Sequence, residues 1–274
     1  MRLRREPAGS GGQRRWGPTP TRRLRLGPRR RRAALGRRAR PVRGDLAGHG
    51  RLRRSGGTAL GRGRRRHLGG RGEPRHFVHS KLMAWLALDR ALRLAERHPA
   101  RTRRRARWAA AREAIAADVV AHGYDEKRQT FVRAYGEVDL DAALLILPVL
   151  GLEHPRSPRV AGTVEAVRHG LDAGEPLLYR YPPRSNGLGG REGGFLPCSF
   201  WLVQALALMG RVEEAAGVFE ALIPFGGGLG LFAEEVDPSN GELLGNYPQA
   251  LTHAALVQAA LALRDATHEG RSGS

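Results

Sequence analysis

The sequence has a single cysteine, Cys198, in 274 residues. An intramolecular disulfide is therefore excluded, and the sequence reads as that of a protein of a reducing compartment. The basic N-terminus lacks the apolar stretch of a secretory signal. The longest apolar run, AALLILPVLGL from Ala142, is too short to span a bilayer and is interrupted by Pro148. These absences predict a cytoplasmic location and no membrane partner.

Two further absences sit together. Residues 1–70 contain no lysine, and their only acids are Glu6 and Asp45, against 23 arginines. That tract alone accounts for the net charge of +21, because the remaining 204 residues hold 24 basic and 24 acidic groups. Its only aromatic residue is Trp16. Bulky apolar residues are few and show no sustained period, so burial cannot offset chain entropy; the tract reads as disordered. So many arginines would bind nucleic acid through phosphates, non-specifically and with strong salt dependence. An all-arginine bias with interspersed Gly and Pro also fits GC-rich codons better than selected chemistry.

From Val78 the patterning is helical. VHSKLMAWLALDRALRLAERH places Leu82, Trp85, Leu86 and Leu92 on one stripe. His79-Ser80 is a plausible start and Pro99 a stop. RTRRRARWAAAREAIAADVVAHG follows, with Gly123 as its end signal. A short helix is predicted from about Asp139 to Leu150, ended or bent by Pro148. Ser157-Pro158 opens another. PLLYRY reads as extended. GFLPCSFWLVQALALMG is apolar almost all round and predicts an inner helix, with Cys198 as a small core residue. RVEEAAGVFEALI predicts an outer, amphipathic partner. A last helix is predicted from about Pro248 to Arg264, entered from Asn246, before a flexible tail at 269–274. About seven helices in consecutive pairs suit an all-α solenoid or α/α toroid, and the lack of a fixed repeat length argues against a regular solenoid.

Three stretches have residues that carry chemistry. The loop GLFAEEVDPSNGELLGN (230–246) holds Glu234, Glu235, Asp237 and Glu242. Carboxylates on a loop between rigid helices suit general acid/base work; the same residues also read as a solvated acidic turn. The loop YRYPPRSNGLGGREGGF (179–195) completes no dinucleotide or phosphate-binding glycine motif. Its glycines would allow close approach of a ligand, or make a flexible connection. His76 and His79 form a weak H-x-x-H signal unsupported by cysteines or an HExxH, so no metal and no cofactor are expected; a structural or sugar-facing role is the alternative.

Three collinear stretches resemble glycoside hydrolase family 15, the glucoamylase and bacterial trehalase-like group. They are RGEPRHFVHSKLMAWLALDRALRLAE (71–96), EGGFLPCSFWLVQALALMGRVEEA (192–215) and GLFAEEVDPSNGELLGNYPQALTHAALVQAAL (230–261). The resemblance implies that residues 71–268 are the C-terminal part of an (α/α)6 barrel domain. It also implies an inverting two-carboxylate reaction on an α-glucoside, either a maltooligosaccharide or trehalose. The first glutamate of AEEVD, Glu234, matches the family's catalytic base. Arg180 and Tyr181 match an Arg-Tyr pair at the non-reducing sugar. By the same resemblance Glu192, Glu235, Trp85, Lys81 and His76 are expected to bind the substrate, with Trp85 and Lys81 in the segment that follows the family's general acid.

The sequence departs from the family at its general acid. Related sequences place that acid in Gly-Ile-Trp-Glu-Val-Arg-Gly, where this chain has Arg66-His67-Leu68-Gly69-Gly70-Arg71-Gly72. An upstream Arg-Asp sugar-binding segment is also missing, Asn186 stands where Asp is common, and FGGGLGL (225–231) replaces a polar loop. Gly-Ile-Trp-Glu-Val written in GC-rich codons and read one frame over becomes Arg-His-Leu-Gly-Gly, the residues at 66–70. Residues 1–70 are therefore expected to be an out-of-frame translation. The chain is expected to be truncated and aggregation-prone, with little or no activity. An arginine-rich nucleic-acid-binding tail on a helical scaffold, or an inactive helical interaction protein, are the alternatives. The oligomeric state is not legible.

Overall fold

The computed structural model describes residues 75–97, 104–182 and 192–272. The arginine-rich tract, Asn186 and the glycine-rich centre of the 179–195 loop lie outside the described residues. Two helices open the described chain. Helix α1 (Val78–Glu96) buries Val78, Leu82, Trp85, Leu88, Leu92 and Ala95, a stripe at three- and four-residue spacing. Its N-cap is Phe77, not Ser80. Helix α2 (Arg105–Gly123) packs against it through Trp108, Ile115 and Val119. Asp89 of α1 is buried and takes Arg112 of α2 at 3.1 Å and Arg93 at 2.9 Å, so its charge is compensated between the helices. Gly123 is a close approach: a Cβ there would sit 2.8 Å from Val78 Cγ2.

A two-stranded hairpin follows, β1 (Tyr124–Asp125) with β2 (Thr130–Phe131), antiparallel in the register Tyr124↔Phe131. The backbone beyond it returns to the start of α1. Phe77 bridges Ala134, Val78 N–H donates to the Arg133 carbonyl at 3.0 Å, and Tyr135 N–H donates to the His76 carbonyl at 3.1 Å. The short helix predicted over Asp139–Leu150 is instead a 3-10 turn (Ala142–Ile146) running into α3 (Leu147–Leu150). Pro148 lies in the first turn of α3, where its missing N–H breaks nothing, and Gly151 ends the helix at φ 79°. Asp141 caps the 3-10 turn by accepting the Ala143 N–H at 2.8 Å.

Helix α4 (Pro158–Gly170) starts as the sequence predicts. Ser157 Oγ accepts the Val160 N–H at 3.3 Å, and Pro158 fills the first turn. Its Thr163 hydroxyl accepts the Phe131 N–H at 3.0 Å, which ties the first hairpin to this layer. Helix α5 (Leu196–Leu208) buries eleven of its thirteen residues, Cys198 among them. It touches α6 (Val212–Leu222), α7 (Ala250–Ser272), the 3-10 turn and α3 and α4, and is the centre of the core. Helix α6 buries only Ala215 and Leu222 completely, as an outer helix does.

The last helix is longer than its sequence suggests and starts later. It begins at Ala250 and continues to Ser272, so the tail expected from 269 is helical through Ser272. Leu251, Val257 and Leu261 form an exposed apolar face on it, and Met83 and Leu94 are exposed on α1. No described helix is long and apolar enough to cross a membrane.

The element that positions the acidic loop is a small antiparallel sheet in the order β3 (Gly194–Phe195), β4 (Glu235–Val236), β5 (Leu243–Leu244). Strand β3 runs directly into α5, so the sheet lies at the N-terminal end of the central helix. On its other side, Phe195 N–H donates to the Leu178 carbonyl at 2.7 Å. Segments 178, 194–196, 234–236 and 243–246 therefore lie side by side.

Candidate active site

Glu234 stands at the entrance to β4 and Asn246 just beyond β5. The pairing Glu235↔Leu244 brings the two together although they are twelve positions apart in the sequence. Glu234 Oε2 accepts two hydrogen bonds from Asn246, from the backbone N–H at 3.1 Å and from Nδ2 at 2.7 Å. In return, the Glu234 N–H donates to the Asn246 carbonyl at 2.9 Å. Among the described residues Oε1 accepts no hydrogen bond. Gly245 makes the approach possible. Its φ is 73°, and a Cβ there would lie 2.9 Å from both Glu234 Cβ and Oε2.

The base of this arrangement is tied to the core. The Glu234 carbonyl accepts the Leu196 N–H at 3.1 Å, at the first residue of α5. One residue earlier, the Ala233 carbonyl accepts the Thr252 hydroxyl of α7 at 2.8 Å. The buried helix α5 and the buried Thr252 of α7 thus fix the backbone on which the carboxylate stands.

Glu235 takes a different partner, its Oε2 accepting the Gly193 N–H at 3.3 Å. Burial pushes its pKa above the ordinary carboxylate value; the Gly193 bond opposes that rise and the neighbouring Glu234 adds to it. A Cβ at Gly193 would lie 2.8 Å from Glu235 Cβ, so this contact too requires glycine. Glu192, the preceding residue, is half-buried.

Arg180 and Tyr181 belong to a second cluster, joined to the first through Leu178 and β3. Arg180 Nε lies 2.9 Å from Asp141 Oδ1 with both side chains nearly buried. The contact is charge to charge, since the N–H is not aligned as a hydrogen bond. Burial is the largest single effect and works against the guanidinium's charge, but Asp141, Cys198 and Tyr181 together outweigh it and the pKa is raised. The guanidinium carbon also lies 5.1 Å from the Tyr181 ring and 5.9 Å from that of Trp201. Arg133 approaches the same Tyr181 ring at 4.3 Å and that of Phe77 at 5.9 Å. Cys198 is buried beside Arg180. Burial pushes its thiol pKa up to about 12, against the opposing effect of the guanidinium.

The other sequence candidates gather around α1 and α2. Lys81 is 5 % exposed, with Nζ 3.3 Å from Asp118 Oδ2. The Tyr135 hydroxyl donates to the same oxygen at 2.9 Å, and His76 stacks on the Tyr135 ring at 5.5 Å. Trp85 is packed in the hydrophobic core at 6 % exposure. No contact joins Lys81, Trp85 or His76 to Glu234 among the described residues. Of the other loop acids, Asp237 closes a turn by accepting both the N–H and the hydroxyl of Ser239.

Sequence reading missed Asn246, Gly245, Asp141 and Arg133. It took Asn246 as the entry to the last helix, which in fact starts four residues later. The signal for Asp141 was its place before a run of apolar residues, the position of a helix cap. Nothing local marks Arg133 or the Glu234–Asn246 pairing, since both depend on partners distant in sequence.

Comparison with known proteins agrees with this architecture. Residues 70–261 match the family Glycosyl hydrolases family 15. The trehalase of Mycobacterium tuberculosis is 43% identical over 203 residues, 74% of this chain and 30% of that protein. Among solved structures, a wild-type glycosidase superposes with a TM-score of 0.60 at 19% identity, over 69% of this chain and 52% of that one. The glucoamylase of Saccharomycopsis fibuligera superposes with a TM-score of 0.55 at 12% identity, over 72% and 57%. The chain thus spans about a third of its trehalase relative and about half of its structural neighbours. The helical layers are those of the family's (α/α)6 fold, and the chain belongs to glycosyl hydrolases family 15.

Proposed function

We propose that the chain carries the base side of an inverting α-glucoside hydrolase, with Glu234 as the general base. The observation that supports this most is the state of its carboxylate. One oxygen is held by two N–H donors from Asn246, and among the described residues the other accepts no hydrogen bond. In an inverting reaction such a carboxylate takes a proton from the water that attacks C1, on the face opposite the leaving group. Arg180 and Tyr181 are the proposed contacts to the non-reducing sugar, with Glu192, Glu235, Lys81, Trp85 and His76 in the surrounding segments. Trehalose is the first substrate to test, because the Mycobacterium tuberculosis relative is a trehalase; maltooligosaccharides come second.

The general acid is proposed to be absent from this chain, since residues 66–72 contain no carboxylate. Loss of a positioned acid lowers the rate by about 10²–10⁴-fold when the leaving group needs a proton. Residues 1–70 are read as an out-of-frame translation, and residues 71–268 as the C-terminal part of the domain. The match to the family from residue 70, at the charge step, supports this.

α-Glucosyl fluoride separates the two halves of the mechanism, because fluoride departs without a proton. Water forms the new C1–O bond, the C1–F bond breaks with its electron pair going to fluoride, and the water's proton passes to Glu234. The purified chain is expected to release β-glucose and fluoride, with little turnover of trehalose or maltose, and Glu234→Gln is expected to abolish release. An α-glucose product, or unchanged turnover in Glu234→Gln, would exclude this mechanism.

A further inference from the structure

We infer that Asn246 is a positioning residue that determines which oxygen of Glu234 acts as base. This rests on the reading of Glu234 as the base. Three hydrogen bonds join the two residues, and they are reciprocal: two from Asn246 to Oε2 and one from the Glu234 N–H to the Asn246 carbonyl. A glutamate has three side-chain torsions, and fixing one oxygen at two donors removes most of that freedom. Because Nδ2 and the backbone N–H both address Oε2, the proton acceptor is Oε1. In the reaction, water bonds to C1, the leaving group departs with the bonding pair, and the water's proton moves to Oε1.

The surroundings favour positioning over structural support. Asn246 is exposed, so its side chain fills no core space. Its backbone has further supports besides Glu234: the hairpin on one side and, on the other, the Gln249 N–H just before α7, which donates to the Phe232 carbonyl at 2.8 Å. Gly245, at φ 73°, leaves room for the carboxylate where any side chain would meet Oε2. The amide side chain therefore has one evident task, which is to hold Oε2.

The test uses the full 274-residue chain and α-glucosyl fluoride. Asn246→Ala is expected to lower kcat by about 10- to 100-fold, as misplacement of a catalytic group does, with KM within about twofold. Asn246→Asp places a second carboxylate against Oε2 and is expected to move the acid limb of the kcat/KM profile to higher pH. A shifted limb in Asn246→Asp with kcat unchanged in Asn246→Ala would show contact without positioning and would count against the inference. If Glu234→Gln abolishes turnover while Asn246→Ala keeps kcat within twofold, the base reading stands and the role of Asn246 is overturned. If the wild-type chain turns over nothing, the catalytic reading fails on its own. The positioning is then decided by ¹³C NMR of the glutamate side-chain carboxyls, with the Glu234 resonance assigned by its loss in Glu234→Gln. Movement of that resonance and its titration in Asn246→Ala supports the inference; an unchanged titration overturns it.

Discussion

Arg180 and Asp141 form an ion pair across 39 residues of sequence, with Nε 2.9 Å from Oδ1 and both side chains nearly buried. Asp141 also caps the 3-10 turn, and the Ala142 N–H donates to the Arg180 carbonyl at 3.1 Å. One carboxylate thus orders a turn and compensates the charge of the residue that adjoins Tyr181.

Removal of Asp141 leaves Arg180 charged in the interior. Asp141→Ala is expected to destabilise the fold by about 3–5 kcal/mol, the usual effect of breaking one side of a buried pair. Replacing both residues with apolar ones, Asp141→Leu with Arg180→Met, is expected to be milder than Asp141→Ala. Urea unfolding of the two variants measures this. A double variant that is the less stable of the two would contradict the pairing.

Two glutamates are expected to give opposite pH effects on stability. The folded pKa of Glu235 is raised from 4.5, mainly by burial. The native state therefore gains from its protonation below the unfolded value, and loses that gain as pH rises through the folded value. Glu235→Gln, which keeps an acceptor for the Gly193 N–H, is expected to be more stable than wild type at pH 7, with the difference vanishing near pH 4. Glu214 is shifted the other way. Its burial would raise the pKa, but Arg211 and Arg168 outweigh this and lower it from 4.5. Its stabilisation is present above the unfolded value and is lost as pH falls through the folded one. Glu214→Gln is expected to be less stable at neutral pH and to converge with wild type in acid. Urea midpoints from pH 3 to 8 test both signs.

Cys198 is completely buried, and its thiol is pushed up to about 12. Thiolate is the reactive form, so the native protein is expected to resist iodoacetamide at pH 8. Labelling is expected to follow the urea unfolding curve. Rapid stoichiometric labelling of the folded chain would show that α5 opens locally.

The exposed stripe of Leu251, Val257 and Leu261 on α7 is expected to promote association. Leu251→Lys with Val257→Lys is expected to lower the mass measured by light scattering and to leave the helical circular dichroism unchanged. An unchanged mass in the variant would show that this face does not drive association.

The local signals in the sequence were reliable where burial repeats along one element. The stripe of α1, the Ser157-Pro158 start of α4 and the all-round apolar character of α5 each reflect one helix against one core. Pro148 misled, because a proline acts differently in the first turn of a helix than in its interior. The start of α7 was misplaced because Asn246, a plausible cap by type, bonds instead to Glu234.

The sequence by itself determined the helices, the charge step near residue 70 and the identity of Glu234 as a carboxylate to examine, since each is encoded in neighbouring residues. Only the tertiary structure decided that Asn246 holds Glu234, that Asp141 compensates Arg180, and that Trp85 and Lys81 are buried beside other partners. These depend on strand register and helix packing. Both bring together residues far apart in the chain, and no local periodicity records which distant residues will meet.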